Sequence, residues 1–279
     1  MNGAVRLLIF GLFNRNIYEG GTIIKFYQKL SSIWKKHNSL LCVGLDSDAD
    51  KLHGLSKFSF NKNIIDATHD LVCAYKPNSA FYEARGGDGI AQLKMTCDYL
   101  RNNYPDIVII LDAKRADIGN TNKGYVAYAY NYLGADAITL HPYLGREAIL
   151  PFLDRKEKGS IILCRTSNKG AGEFQDGLYM DVARHVAKYW NANNNCALVV
   201  GATYPGELKI VRRIVKDMPL LLPGVGAQGA DLERTVHAGR DSHGAGMIIN
   251  ASRSIIFARN PREEARKLKD LINLHRSYE

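Results

Sequence analysis

The sequence predicts a single (β/α)8 TIM barrel. Three observations carry that reading: eight short apolar runs ending in polar or Gly/Pro residues, segments of helical period between them, and 279 residues without a long linker or composition break. Continuous apolar runs mark strands buried on both faces, and strands that alternate with helices pair in parallel through crossovers. Eight such units fit the roughly 250 residues of a closed barrel. A doubly wound open sheet is the alternative, because strand count alone does not prove closure.

The runs lie at 40–46 (LLCVGLD), 72–78 (VCAYKPN), 107–114 (IVIILDAK), 137–142 (AITLHP), 160–166 (SIILCRT), 197–203 (ALVVGAT), 220–226 (LLLPGVG) and 247–253 (MIINASR). Amphipathic segments include 23–36, 63–71, 90–102, 120–133, 178–191, 207–216 and 232–238, with 261–275 last. Residues 22–279 are therefore read as the barrel domain, and residues 1–21 as an extension outside the fold. Arg6 followed by apolar residues 7–13 mimics a signal peptide. That run is short, lacks a small-x-small cleavage site, and cannot span a bilayer.

Composition excludes several classes. With 46% hydrophobic and 23% charged residues, 25 Gly and 8 Pro, the chain is neither disordered nor collagenous. Cys42, Cys73, Cys97, Cys164 and Cys196 are odd in number and never form a CxxC pair, so they read as reduced thiols of a cytoplasmic protein, with no metal or disulfide role. The net charge of +9 (37 Lys+Arg against 28 Asp+Glu) first suggests nucleic acid. Residues 1–37 alone supply +5 of it, from six basic residues against Glu19. No Lys/Arg-rich run, zinc-finger spacing or RNP-like aromatic motif accompanies it. A solvated basic face serving a small anionic substrate fits better, with no nucleic-acid or membrane partner.

A barrel places reactive residues at the C-terminal ends of its strands. Asp112-Ala113-Lys114-Arg115-Ala116-Asp117 closes the third run, where strand alternation puts Asp112 and Lys114 on the face of Val108 and Ile110. Lys76 ends the second run with Asn78 on its own face, and Asp46 ends the first. Three neighbouring strands thus bring carboxylates and ammoniums to one spot. As a mere ion-pair closure of the barrel this would be a weak stabiliser, since desolvation offsets attraction. An ammonium flanked by carboxylates suits Lys114 to a general-acid role.

The loops after the seventh and eighth runs, 223–229 (PGVGAQG) and 250–254 (NASRS), match the usual phosphate position of such barrels. Glycines let backbone N–H groups surround an anion, and Arg253 offers a planar fork of donors. The polar stretch 165–173 after the fifth run reads either as an ordinary surface loop or as a lid, with Ser167 its best polar contact. His141-Pro142 ends the fourth run and reads equally as a residue facing the site or as a structural hydrogen-bonding group, whereas Tyr204-Pro205-Gly206-Glu207 reads chiefly as a turn and helix start and Asn120-Thr121 as a helix opening.

Taken together, LCVGLD, YKPNSAFYE, LDAKRADIGNT, TLHPYLG, LCRTSN, VVGATYPGEL, PGVGAQG and NASRSI resemble the orotidine 5′-phosphate decarboxylase family, in the branch carrying the DAKRxDIGNT motif, over residues 40–257. The resemblance implies conversion of orotidine 5′-phosphate to uridine 5′-phosphate with neither metal nor organic cofactor. It further implies a catalytic array of Lys76, Asp112, Lys114 and Asp117, with Asp117 reaching the partner's site in a homodimer. Asp46 and Lys76 would bind ribose, Ile118 and Thr121 would line the partner's pocket, Ser167 would meet the pyrimidine, and Gln228 with Ser252 and Arg253 would hold phosphate. Ala116 stands where many relatives are expected to have Gly, so a positive φ there would be strained, though Ala is a mild change. Two rivals stand beside this reading. One is a sugar-phosphate decarboxylase or aldolase such as 3-keto-L-gulonate 6-phosphate decarboxylase, which needs magnesium and a carboxylate where Lys76 stands. The other is a non-enzymatic basic binding module.

Overall fold

A computed structural model describes residues 18–19, 22–52, 54–225 and 231–277. Eight strands form one barrel: β1 Leu41–Gly44, β2 Ala74–Lys76, β3 Val108–Arg115, β4 Ala137–Leu140, β5 Gly159–Arg165, β6 Cys196–Val200, β7 Leu220–Pro223 and β8 Met247–Ala251. Each apolar run of the sequence supplies one strand. All neighbours pair in parallel and β8 pairs with β1, so the sheet is closed and the open-sheet alternative falls.

Helix α1, Phe26–His37, precedes the barrel, and one principal helix then follows each strand: α2 Lys57–Thr68, α3 Gly86–Asn103, α4 Gly119–Val126, α5 Gly145–Leu153, α6 Tyr179–His185, α7 Pro205–Val215, α8 Leu232–Gly239 and α9 Pro261–Arg276. Helix α5 has no counterpart among the segments read from the sequence. It is nine residues long with Pro151 inside it, and proline ordinarily signals a break rather than a helix. The continuous apolar strands are buried along their length because side chains of one face fill the barrel and those of the other meet the helices.

Helix α1 lies against the N-terminal ends of β4 and β5. Phe26 is buried there, and a Cβ on Gly159 would stand 2.7 Å from its ring and 2.8 Å from the Ala137 Cβ. Glycine is what lets the helix approach. Lys29 Nζ donates to Asp136 Oδ2 at 2.7 Å, and the same oxygen accepts from the Ile109 amide at 2.8 Å. One end of the barrel is thus closed, leaving the C-terminal end for chemistry.

All five cysteines are free and buried. Burial pushes the thiols of Cys73, Cys97, Cys164 and Cys196 up to about 12, which keeps them protonated and unreactive. Residues Tyr18–Glu19 and Thr22–Ile23 pair as a separate antiparallel ribbon. The rest of the expected N-terminal extension, residues 1–17 and 20–21, lies outside the described residues. Among those described, no helix is long and apolar enough to cross a membrane.

Candidate active site

Asp112 is the hub of the barrel mouth. Its Oδ2 accepts from Lys76 Nζ at 2.7 Å and its Oδ1 from Lys114 Nζ at 2.6 Å. Lys76 and Asp112 are buried, whereas the Lys114 side chain is 49% exposed and accessible from the mouth. Burial opposes the Asp112 charge, but the Lys76 and Lys114 ammoniums outweigh it and hold the carboxyl well below its usual range. Burial likewise opposes the Lys76 charge, and the Asp112 and Asp46 carboxylates outweigh it, holding the ammonium above its usual range. Asp112 and Lys76 are therefore both charged at neutral pH.

Simple strand alternation does not describe how Lys114 reaches this position. The β3–β4 register shifts between Leu111 and Arg115, and Lys114 has φ +48°. Thr139 on β4 holds the distortion: its Oγ1 accepts from the Ala113 and Lys114 amides at 3.0 and 2.9 Å and donates to Asp112 Oδ1 at 2.9 Å. A non-glycine residue in that region costs on the order of 1–3 kcal/mol and persists only when its surroundings over-determine it. Ala116 is not among the positive-φ residues, so the strain that a positive φ would bring there lies on Lys114 instead. Sequence reasoning missed Thr139, though a polar residue amid the apolar run AITL is a signal for it.

Asp46 follows β1 in a loop braced from beneath. Tyr82 Oη donates to the Leu45 carbonyl at 2.9 Å, and buried Asn61 joins Tyr82, Thr96 and Ser47 in one network. Within that loop Asp46 Oδ1 is buried with no protein donor. A buried acceptor left unpaired is unfavourable, which makes it a ready partner for a ligand hydroxyl.

Beyond β3, Asp117 is fixed by buried Asn122, whose Oδ1 accepts the Asp117 amide at 2.9 Å and whose amide group donates to the Asp117 and Ala148 carbonyls. Asp117 Oδ1 also accepts the Ile118 amide at 2.6 Å. Ile118 is 61% exposed, and Thr121 is exposed on the first turn of α4. Neither joins the Lys76–Asp112–Lys114 cluster by a hydrogen bond. His141 makes structural contacts: its amide donates to Arg115 O at 3.1 Å and its ring meets the Ala116 carbonyl at 3.2 Å.

The stretch after β5 is a 3-10 turn, Lys169–Ala171, and a short helix, Gly172–Gln175, rather than an open loop. Its anchor is Arg165, which opens the polar stretch 165–173 but to which the sequence alone assigns no role of its own. Arg165 is buried, pairs with Glu207 at 2.5 Å and Asp176 at 2.8 Å, and lies 4.3 Å from the Tyr204 ring centroid. Thr166 N donates to Gln175 Oε1 at 2.7 Å. Ser167 is half-buried against Gly201, where a Cβ would come within 2.7 Å of the Ser167 Cα. Replacing Arg165 with methionine is expected to cost about 2 kcal/mol, below the value for a fully buried pair because Asp176 is mostly exposed. Tryptic cleavage at Lys169 would accelerate; an unchanged rate would contradict the anchoring role.

At the opposite side of the mouth, Ser252 Oγ donates to the Gly44 carbonyl at 3.0 Å, and a Cβ on Gly44 would stand 2.9 Å from that of Ser252. This contact ties the ends of β8 and β1. Arg253 is exposed at the start of the short helix Arg253–Ile256. Gly224 has φ +101° after β7, while Gln228, with residues 226–230, lies outside the described residues.

Comparison with known proteins agrees with this fold. The family model described as Orotidine 5'-phosphate decarboxylase / HUMPS family matches residues 39–268. A protein of Cellvibrio japonicus named Orotidine 5'-phosphate decarboxylase is 46% identical over 275 residues, covering 91% of this chain and 100% of the relative. The solved Leishmania donovani OMP decarboxylase superposes with a TM-score of 0.83 at 38% identity, covering 91% of this chain and 99% of that one. The Leishmania donovani UMP synthase gives a TM-score of 0.86 at 39% identity; 91% of this chain is covered, but only 57% of that longer one. A match over most of the barrel, with identity this high across the full length of a relative, places the chain in the orotidine 5′-phosphate decarboxylase/HUMPS family.

Proposed function

We propose that the chain decarboxylates orotidine 5′-phosphate to uridine 5′-phosphate in pyrimidine biosynthesis, with Lys114 protonating the ring carbon that loses CO2. The observation that carries this reading is the Lys76–Asp112–Lys114 row, two ammoniums on one carboxylate at the ends of β2 and β3. Cleavage of the ring carbon–carboxylate bond leaves an electron pair on that carbon. A fixed ammonium stabilises the charge as it develops and then donates its proton to form the new C–H bond. Asp112 keeps Lys114 in place and, standing beside the substrate carboxylate, disfavours the charge that departs as CO2.

Asp46 and Lys76 serve the ribose, the unpaired Asp46 oxygen accepting a hydroxyl. Ser167 serves the pyrimidine edge, and Gln228, Ser252 and Arg253 the phosphate. Binding so far from the reacting carbon supplies energy that closes the segment after β5. The sugar-phosphate rival requires a divalent cation among carboxylates. Here the Lys76 ammonium lies 2.7 Å from Asp112 and repels one. Exposed Ile118 and Thr121 beside Asp117 support a homodimer in which these three residues complete the partner's site. Five buried free thiols are in keeping with a cytoplasmic location.

An ultraviolet assay of orotidine 5′-phosphate consumption on purified protein in EDTA tests the assignment, and turnover is expected to persist. The subunit-sharing arm co-expresses Lys114→Ala with Asp117→Ala chains. Each is inactive alone, whereas random pairing restores about a quarter of wild-type activity, since half of the dimers carry one intact site. No restored activity would exclude sharing across the dimer.

A further inference from the structure

Glu233 and His237 stand one turn apart on α8, and His275 lies in the last turn of α9. One ligand atom from each falls within 4.8 Å of the others. We propose that these three side chains bind a divalent transition metal, with Zn2+ the best fit. Two imidazoles and a carboxylate suit a borderline ion, and three protein ligands leave a fourth position for water, which solvent supplies at this surface.

The geometry is close to what coordination requires. Zn–N and Zn–O distances of about 2.0–2.1 Å put tetrahedral ligand atoms roughly 3.3 Å apart, so the present cluster needs to contract by at most about 1.5 Å. Glu233 and His237 are exposed and His275 is partly so, which leaves their side chains free to change rotamer. The i,i+4 spacing already fixes two ligands on one helix face. The histidine rings stand edge to face, with centroids 6.3 Å apart at 79°.

This cluster takes no part in the barrel-mouth chemistry. Asn273 and Arg276, flanking His275, donate to Asn38 O and Oδ1 just ahead of β1. His275 therefore sits at the N-terminal end of the barrel, opposite Lys114, where side chains serve stability. A metal there would staple α9 to α8. Helix α9 buries Ala265 and Ile272 and leaves Leu274 68% exposed, and a metal would add to the Arg262–Asp70 pair and the Asn38 contacts that already hold it.

The test is calorimetric titration of the full chain with Zn2+ alone, paired with thermal melts in ZnCl2 and in EDTA. One Zn2+ per chain and a higher melting temperature are expected. His237→Ala and His275→Ala should each weaken binding at least about tenfold, the lower end of what losing even an outer partner costs a metal site, and should remove the thermal shift. The buried thiols do not compete in the folded protein. Absence of saturable one-to-one binding overturns the proposal, as does binding that a combined His237→Ala and His275→Ala variant leaves unchanged. Neither readout depends on decarboxylation, so failure here leaves the assignment of the barrel mouth standing.

Discussion

The Lys114→Ala variant is expected to lose at least about 10³-fold in kcat for orotidine 5′-phosphate while its melting temperature stays within a few degrees of wild type. A positioned general acid contributes roughly 10²–10⁴-fold and a fixed electrostatic donor roughly 10²–10³-fold, and Lys114 combines both roles. Stability is spared because its side chain is half exposed and Asp112 keeps Lys76 as a partner. Single-turnover measurements separate the lost chemical step from binding. Ordinary turnover by the variant would overturn the mechanism, and salt-dependent nucleic-acid binding that survives it would favour the basic binding module.

Asp112→Ala is expected to cost both fold and activity. It leaves Lys76 buried without the carboxylate at 2.7 Å. Breaking a buried pair in this way costs about 3–5 kcal/mol. For a domain of this size that lowers the melting temperature by roughly 10 °C. A melt indistinguishable from wild type would show that the pair carries no such weight. The pH dependence follows from the same contacts. Asp112 is depressed in the fold, so its stabilisation is present above the ordinary carboxyl value of about 3.9 and is lost as pH falls below it. Lys76 is raised, so its stabilisation is present below the ordinary lysine value of about 10.4 and fades as pH climbs past it. A plateau across neutral pH with losses at both extremes is the expected denaturation profile.

What was legible in the sequence followed from patterns that are local. The strands announce themselves because burial on both faces demands continuous apolar residues, and strand-end chemistry stands out because Asp, Lys and Arg interrupt such runs. Residues whose role depends on a distant partner were not legible. Thr139 matters only because β4 lies beside a distorted β3, and Arg165 only because Glu207 and Asp176 converge on it from separate elements. Asn122 looks like an ordinary helix residue until its contacts with Asp117 and Ala148 are seen.

By itself the sequence determined eight alternating strand and helix units, the charged residues at the ends of β1 to β3 and the absence of any CxxC pair among the five cysteines, because each depends on residue type and spacing along the chain. Tertiary structure alone decided that the sheet closes, that Asp112 binds both lysines, and that Lys114 reaches it through a bulge at φ +48° instead of regular alternation. The physical reason is that closure, charge pairing and stored strain are properties of elements brought together across the barrel. Alternation along one strand could name Asp112 and Lys114 as neighbours, but the hydroxyl of Thr139 on the next strand sets how they meet.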